Sequence, residues 1–184
     1  MGAEPQATAD TDFSHLLSQK NLQALRAQFS DDAMVQPTLE ALTKPFPAAA
    51  TPYEKPYVEA LLGVLFGNRS QSALTSRERE MTITTVLAVN HRGQGPFLGI
   101  HLYWSLMVGW SPEQISEQLL VISIYNGIDT LSASFKTFGT LLTQLDKWTS
   151  DNISQPENLK ASAIVGQILT GFAGNAPQPP GSTS

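Results

Sequence analysis

Cysteine is absent from all 184 residues of this chain. That excludes disulfides, thiol-based peroxide reduction and cysteine-ligated metals, and it fits a reducing compartment. Basic clusters are missing too. With 11 Lys+Arg against 16 Asp+Glu the formal net charge is −5, and without a basic face nucleic acid is disfavoured as a partner. No stretch approaches the roughly 20 uncharged apolar residues of a membrane span. The segment Met1 to Asp10 has neither the positive charge nor the apolar run of a signal peptide. A cytoplasmic protein with no membrane partner is expected. Charged residues are sparse at 15%, against 41% hydrophobic, a composition close to that of ordinary globular domains. The length suits one domain that buries a core of its own.

Long period-two alternation is also lacking, so strands are not expected. What the chain has instead is helix punctuation. Thr51-Pro-Tyr-Glu54, Thr75-Ser-Arg-Glu78, Ser111-Pro-Glu-Gln114 and Ser154-Gln-Pro-Glu157 each place a Ser or Thr three residues before Glu or Gln. In that spacing the hydroxyl and the carboxyl or amide satisfy each other's orphan backbone donors. Gly67, Gly109 and Gly127 stand where helices should stop, because glycine takes the left-handed C′ conformation at low cost. Asp12 is read as the cap of a first helix holding Leu16, Leu17, Leu22, Leu25 and Phe29. Asp129 is read as the cap of a long one holding Leu131, Phe135, Phe138, Leu141, Leu142 and Leu145 at spacings of three and four. The expectation is an all-α fold of roughly seven helices. Its domain runs over residues 12–173 and its compact part over 53–148. Disordered, polar ends are expected at 1–11 and 174–184.

Within this frame one imidazole stands out. His101 sits in Phe97-Leu-Gly-Ile-His-Leu-Tyr-Trp-Ser-Leu-Met-Val108, among the most apolar stretches of the chain. A buried imidazole needs partners for its ring nitrogens. It is either a core histidine paired to a backbone carbonyl or an acid/base whose ordinary pKa of about 6.5 suits proton transfer near neutrality. Positions 80, 83, 84 and 87 share a helix face with Ile83 and Leu87, which turns Glu80 inward; an inward carboxylate must be paired, and Arg79 is one available partner. Glu78 fits the surface role of capping partner to Thr75. His91 and Arg92 lie in a Gly/Pro-rich loop, Asn90-His-Arg-Gly-Gln-Gly-Pro96, where they are either solvated or positioned to hold a substrate's polar end. Trp104 and Trp110 suit a core or a subunit contact, and Tyr125 suits packing or a hydroxyl in a pocket. No His-x-x-x-His or Glu-x-x-His spacing occurs, so no metal is expected. Gly93 and Gly95 do not make a phosphate loop.

The order of three short motifs resembles the carboxymuconolactone decarboxylase family, relatives of the alkylhydroperoxidase-like helical proteins. Leu74-Thr-Ser-Arg-Glu-Arg-Glu-Met81 is similar to the family's helix start. His101, Leu106 and Gly109-Trp-Ser-Pro-Glu-Gln-Ile115 follow its histidine segment, and Tyr125-Asn-Gly-Ile-Asp129 is similar to its last turn. The resemblance covers residues 74–135, about a third of the chain, and the helix after Ser150 looks like an addition. It implies a homo-oligomer, trimer or hexamer, with pockets near subunit contacts. It also implies that Glu80 orients His101 as the proton donor or acceptor. Gln94 and Phe97 stand where the peroxidase branch carries its two cysteines, so that chemistry is not implied here. Gln94, His91, Arg92, Phe97, Trp104 and Tyr125 are then the candidate substrate contacts. The function implied is a cofactor-independent lyase or isomerase that handles an enolate from a small organic acid, lactone or other enolisable metabolite. The alternative is a binding or assembly protein on the same frame, with His101 structural.

Overall fold

The computed structural model describes residues 13–29, 73–90 and 95–172. The described residues form six α-helices and two 3₁₀ turns, with no strand among them. The helices are α1 (Gln19–Gln28), α2 (Ser76–Asn90), α3 (Pro96–Met107), α4 (Pro112–Asn126), α5 (Ile128–Asn152) and α6 (Ala161–Phe172). The expected ends at 1–11 and 174–184, the Asp12 cap, the Thr51 start and the Gly67 stop lie outside the described residues.

The α3 helix is the hub. It is apolar on every side, as a helix buried on every side must be; Leu98, Leu102, Tyr103 and Leu106 are fully buried and Trp104 nearly so. It touches all five other helices. Gly99 permits the approach of α6: a Cβ there would come within 3.2 Å of Ile168 Cγ2 and 3.3 Å of Phe172. The amphipathic α5 lays Phe138, Leu141, Leu142 and Leu145 into the same core. At full burial each such side chain contributes about 1.5–3 kcal/mol.

Several local expectations hold. Thr75 and Glu78 exchange their side chains with each other's backbone N–H, at 3.2 and 2.8 Å. Ser111 and Gln114 form the same reciprocal box at the start of α4. Gly109 follows α3 at φ 104° and Gly127 ends α4 at φ 91°.

Four expectations are corrected. The first helix is broken: Ser14–Leu16 is a 3₁₀ turn, Leu17 is extended, and Ser18 caps α1 by accepting from Asn21 N. Leu17 is thereby buried at the break itself, and Leu22 and Leu25 beyond it. Asp129 does not cap α5; Gly127 holds the cap position and Asp129 falls in the first turn. Ser154 caps nothing. Pro156–Leu159 forms a 3₁₀ turn with no side-chain cap, and the last helix waits until Ala161. Here Trp148 Nε1 donates to Asn158 O at 2.9 Å and fixes the turn. Finally, the compact part is wider than 53–148. Ile164, Val165, Ile168 and Phe172 of α6 are core residues, as are Leu22 and Leu25 of α1.

Candidate active site

Two helices carry the pair that matters. The Thr75 cap sets where α2 begins, which puts Glu80 on the face turned towards α3. Arg79, Glu80, Thr84 and Ala88 are that helix's buried residues. Pro96 opens α3 behind Gly95, at φ 100°, and His101 follows one and a half turns on. His101 Nδ1 lies 2.8 Å from Glu80 Oε2, with side-chain exposures of 13% and 4%. The imidazole therefore keeps an edge open while the carboxylate is enclosed. With a carboxylate as acceptor, Nδ1 is the donor, and Nε2 is left as the nitrogen able to take a proton. Nε2 makes no hydrogen bond to another described residue. No ion pair joins Glu80 to Arg79; the imidazole is the carboxylate's partner.

The surroundings fix this geometry. One turn along both helices Thr84 Oγ1 meets Ser105 Oγ at 3.2 Å, and Ser105 Oγ donates to His101 O at 2.8 Å. The Trp104 ring stands edge-on to the imidazole, centroids 4.8 Å apart. From α1, Arg26 donates to Leu106 O at 2.9 Å and to Trp110 O at 3.1 Å, tying down the carbonyl end of α3. Burial lowers the Arg26 pKa from its ordinary value. Gln118 of α4 donates to Met81 O and Thr85 Oγ1 and locks α4 on α2. Arg77 stacks 4.2 Å over the Trp110 ring. On the same two helices, two buried donors have no partner: Trp104 Nε1, on the ring packed against the imidazole, and Arg79 Nη1. An orphan of this kind costs about 1–3 kcal/mol, a cost that a ligand oxygen would relieve.

The remaining candidates divide. Phe97 is 40% exposed on the first turn of α3 and Trp104 is 1% exposed beside the imidazole. Tyr125 is 86% exposed at the end of α4, so within one chain its hydroxyl faces solvent and not an enclosed pocket. His91, Arg92 and Gln94 lie outside the described residues. Ser105 and Arg26 were not singled out in the sequence. Ser105 had a signal, since it follows His101 by four residues as Thr84 follows Glu80; Arg26 had none, because its carbonyl partners are eighty residues away. Among the described residues no three His, Asp or Glu side chains gather as a metal would require, and no helix is long and apolar enough to cross a membrane.

Residues 55–138 match the sequence model of the carboxymuconolactone decarboxylase family. This stretch is a carboxymuconolactone decarboxylase family domain. The match contains α2, α3 and α4 whole, and with them Glu80, His101 and Trp104. It begins nineteen residues before the first motif at Leu74 and leaves α1 and α6 outside. No curated protein and no solved structure matches the chain. The family domain thus supplies both halves of the pair, while Arg26 on α1, outside the match, anchors the helix that carries the imidazole.

Proposed function

We propose that this carboxymuconolactone decarboxylase family protein is a cofactor-independent enzyme that moves a proton to or from carbon in a small enolisable acid or lactone. The observation that carries the proposal is the 2.8 Å bond from His101 Nδ1 to the enclosed Glu80 carboxylate. It leaves Nε2 as the base and gives the imidazolium that forms a fixed counter-charge. In an isomerisation, Nε2 takes the proton from the carbon beside a carbonyl, and the electron pair passes to the carbonyl oxygen. The imidazolium, whose proton exchanges with water at its open edge, returns a proton at another carbon. In a decarboxylation, His101 starts as the imidazolium. The bond to the leaving carboxylate breaks, its electrons pass into the enolate as carbon dioxide departs, the imidazolium protonates the carbon, and water returns the proton to Nε2. Either enolate needs donors at its oxygen; the unpartnered Trp104 Nε1, on the ring beside the imidazole, is suited to supply one, and the unpartnered Arg79 Nη1 on α2 is the other candidate. His91, Arg92, Gln94 and Phe97 remain the residues proposed to hold the polar end and rim of the substrate.

Deuterium wash-in tests this. A panel of β-keto acids and unsaturated lactones in heavy water should exchange their acidic C–H positions with the native protein and not with His101→Gln, whose fold should persist by circular dichroism. Undiminished exchange in that variant removes the reading. A second reading, a binding or assembly protein, draws on the imidazole's packing against Trp104; in that case His101→Gln lowers the melting temperature and changes no ligand response.

Assembly with further copies of the chain, as a trimer or hexamer, belongs to either reading. Leu120, Val121, Ile124, Tyr125 and Ile128 make an apolar stripe on the outside of α4 and the start of α5, at exposures from 42% to 86%. Contiguous apolar surface of that kind is characteristic of interaction sites.

A further inference from the structure

The part of the chain beyond the family domain builds a concavity of its own. α5 after Phe138 and all of α6 lie outside residues 55–138. Between them opens a cleft of about 260 Å³ bounded by Gln144, Lys147, Trp148, Asp151, Gln167, Thr170 and Gly171. It shares no lining residue with the Glu80–His101 pair.

Its chemistry is specific. The Trp148 indole has already committed its N–H to Asn158 O at 2.9 Å, so the ring is held in place and offers the cleft carbon surface. Further in, a smaller void of about 20 Å³ ends on Leu145, Ile164 and Ile168, an apolar floor. Two side-chain amides, Gln144 from α5 and Gln167 from α6, line the cleft. Neither amide hydrogen-bonds another described residue. Lys147 and Asp151, both lining the cleft and both exposed, pair at 2.7 Å, so the lining carries no net charge. Gly171 puts no side chain into the cleft; a Cβ there would meet the end of the exposed Gln144 side chain, 3.2 Å from Oε1 and 3.3 Å from Nε2.

We infer that this cleft is a second binding site, for a small uncharged molecule with a flat ring and an amide or lactam edge. The ring packs against the indole over the apolar floor. The edge, which both donates and accepts, meets two amides that each do the same. The volume falls just under the roughly 300–1,000 Å³ of drug-sized pockets, which limits the ligand to one or two rings. The site is independent of the proton-transfer chemistry proposed above.

Benzamide and 2-pyridone are the probes, titrated into the full-length protein while nitrogen–proton correlation spectra follow the side-chain amides and the indole N–H. Saturable shifts are expected at Gln144, Gln167 and Trp148, with Kd about 1 mM or tighter, and benzoate should bind at least tenfold more weakly. Gly171→Leu, which fills the cleft and favours helix, should weaken binding at least tenfold. Gln144→Leu combined with Gln167→Leu, both at exposed positions, should do the same and serves if the first variant misfolds. His101→Gln should bind as the native protein does, which separates this site from the other. Absence of saturable shifts with both probes overturns the inference. So does binding that survives both cleft variants, or binding lost with His101→Gln.

Discussion

Glu80 Oε2 and His101 Nδ1 meet at 2.8 Å across two helices, twenty-one residues apart in the chain. The carboxylate is enclosed and the imidazole keeps one edge accessible. That asymmetry lets Glu80 act as a fixed orienting group while the other ring nitrogen exchanges protons.

Replacing Glu80 by leucine should remove the partner of a half-buried ring nitrogen. An unmade hydrogen bond in such a place costs about 1–3 kcal/mol, to be read from urea denaturation. Imidazole nitrogen shifts should place the hydrogen on Nδ1 in the native protein and on a mixture of both nitrogens in the variant. A native-like single tautomer in Glu80→Leu would show that the carboxylate does not set it.

Arg26 binds two carbonyls, Leu106 O at the end of α3 and Trp110 O in the turn just past it. Arg26→Ala should destabilise the fold by about 1.5–3 kcal/mol, the range for bonds to a charged donor. Arg26→Lys should recover little of it, since one ammonium lacks the planar fork that spans both oxygens. Equal stability of the lysine variant and the native chain would contradict this.

Asp146 links α5 to the start of α1. Burial pushes its pKa up, yet the hydrogen bonds from Ser18 N and the Asn21 amide outweigh that and hold it below its ordinary 3.8. A carboxyl depressed in the folded state adds stability that is full above the unfolded pKa and is lost as pH falls through the folded one. Stability should therefore fall off below about pH 4, and Asp146→Asn should flatten that acid limb while lowering stability at pH 7. Melting temperatures across pH 2–7 would measure both.

The exposed stripe from Leu120 to Ile128 should be covered in solution. Ile124, 72% exposed on one chain, is its centre, and Ile124→Glu should reduce the mass seen by light scattering without loss of helix. An unchanged mass would place any contact between copies elsewhere.

Much of the fold was legible because caps and stops are local. Thr75 with Glu78, Ser111 with Gln114, and Gly109 and Gly127 all act within a few residues of themselves, so the chain alone specifies where α2 and α4 begin and where α3 and α4 end. The failures were also instructive. Ser18 displaced Asp12's expected helix because an extended Leu17 is buried at 1%, and Ser154 lost its helix to a turn that Trp148 holds from another element. In both, a distant contact outweighed a good local signal.

The sequence by itself determined the helical class, the inward turn of Glu80 and the exclusion of thiol chemistry, because periodicity, capping and composition depend on neighbours or on none. The family resemblance implied His101 as the partner of Glu80, but the residues alone left Arg79 open. The tertiary structure decided that pairing, and only it decided that Tyr125 faces outward and that α6 closes the core against Gly99. Those outcomes depend on which helix faces pack together, and that is set by burial summed over the whole chain.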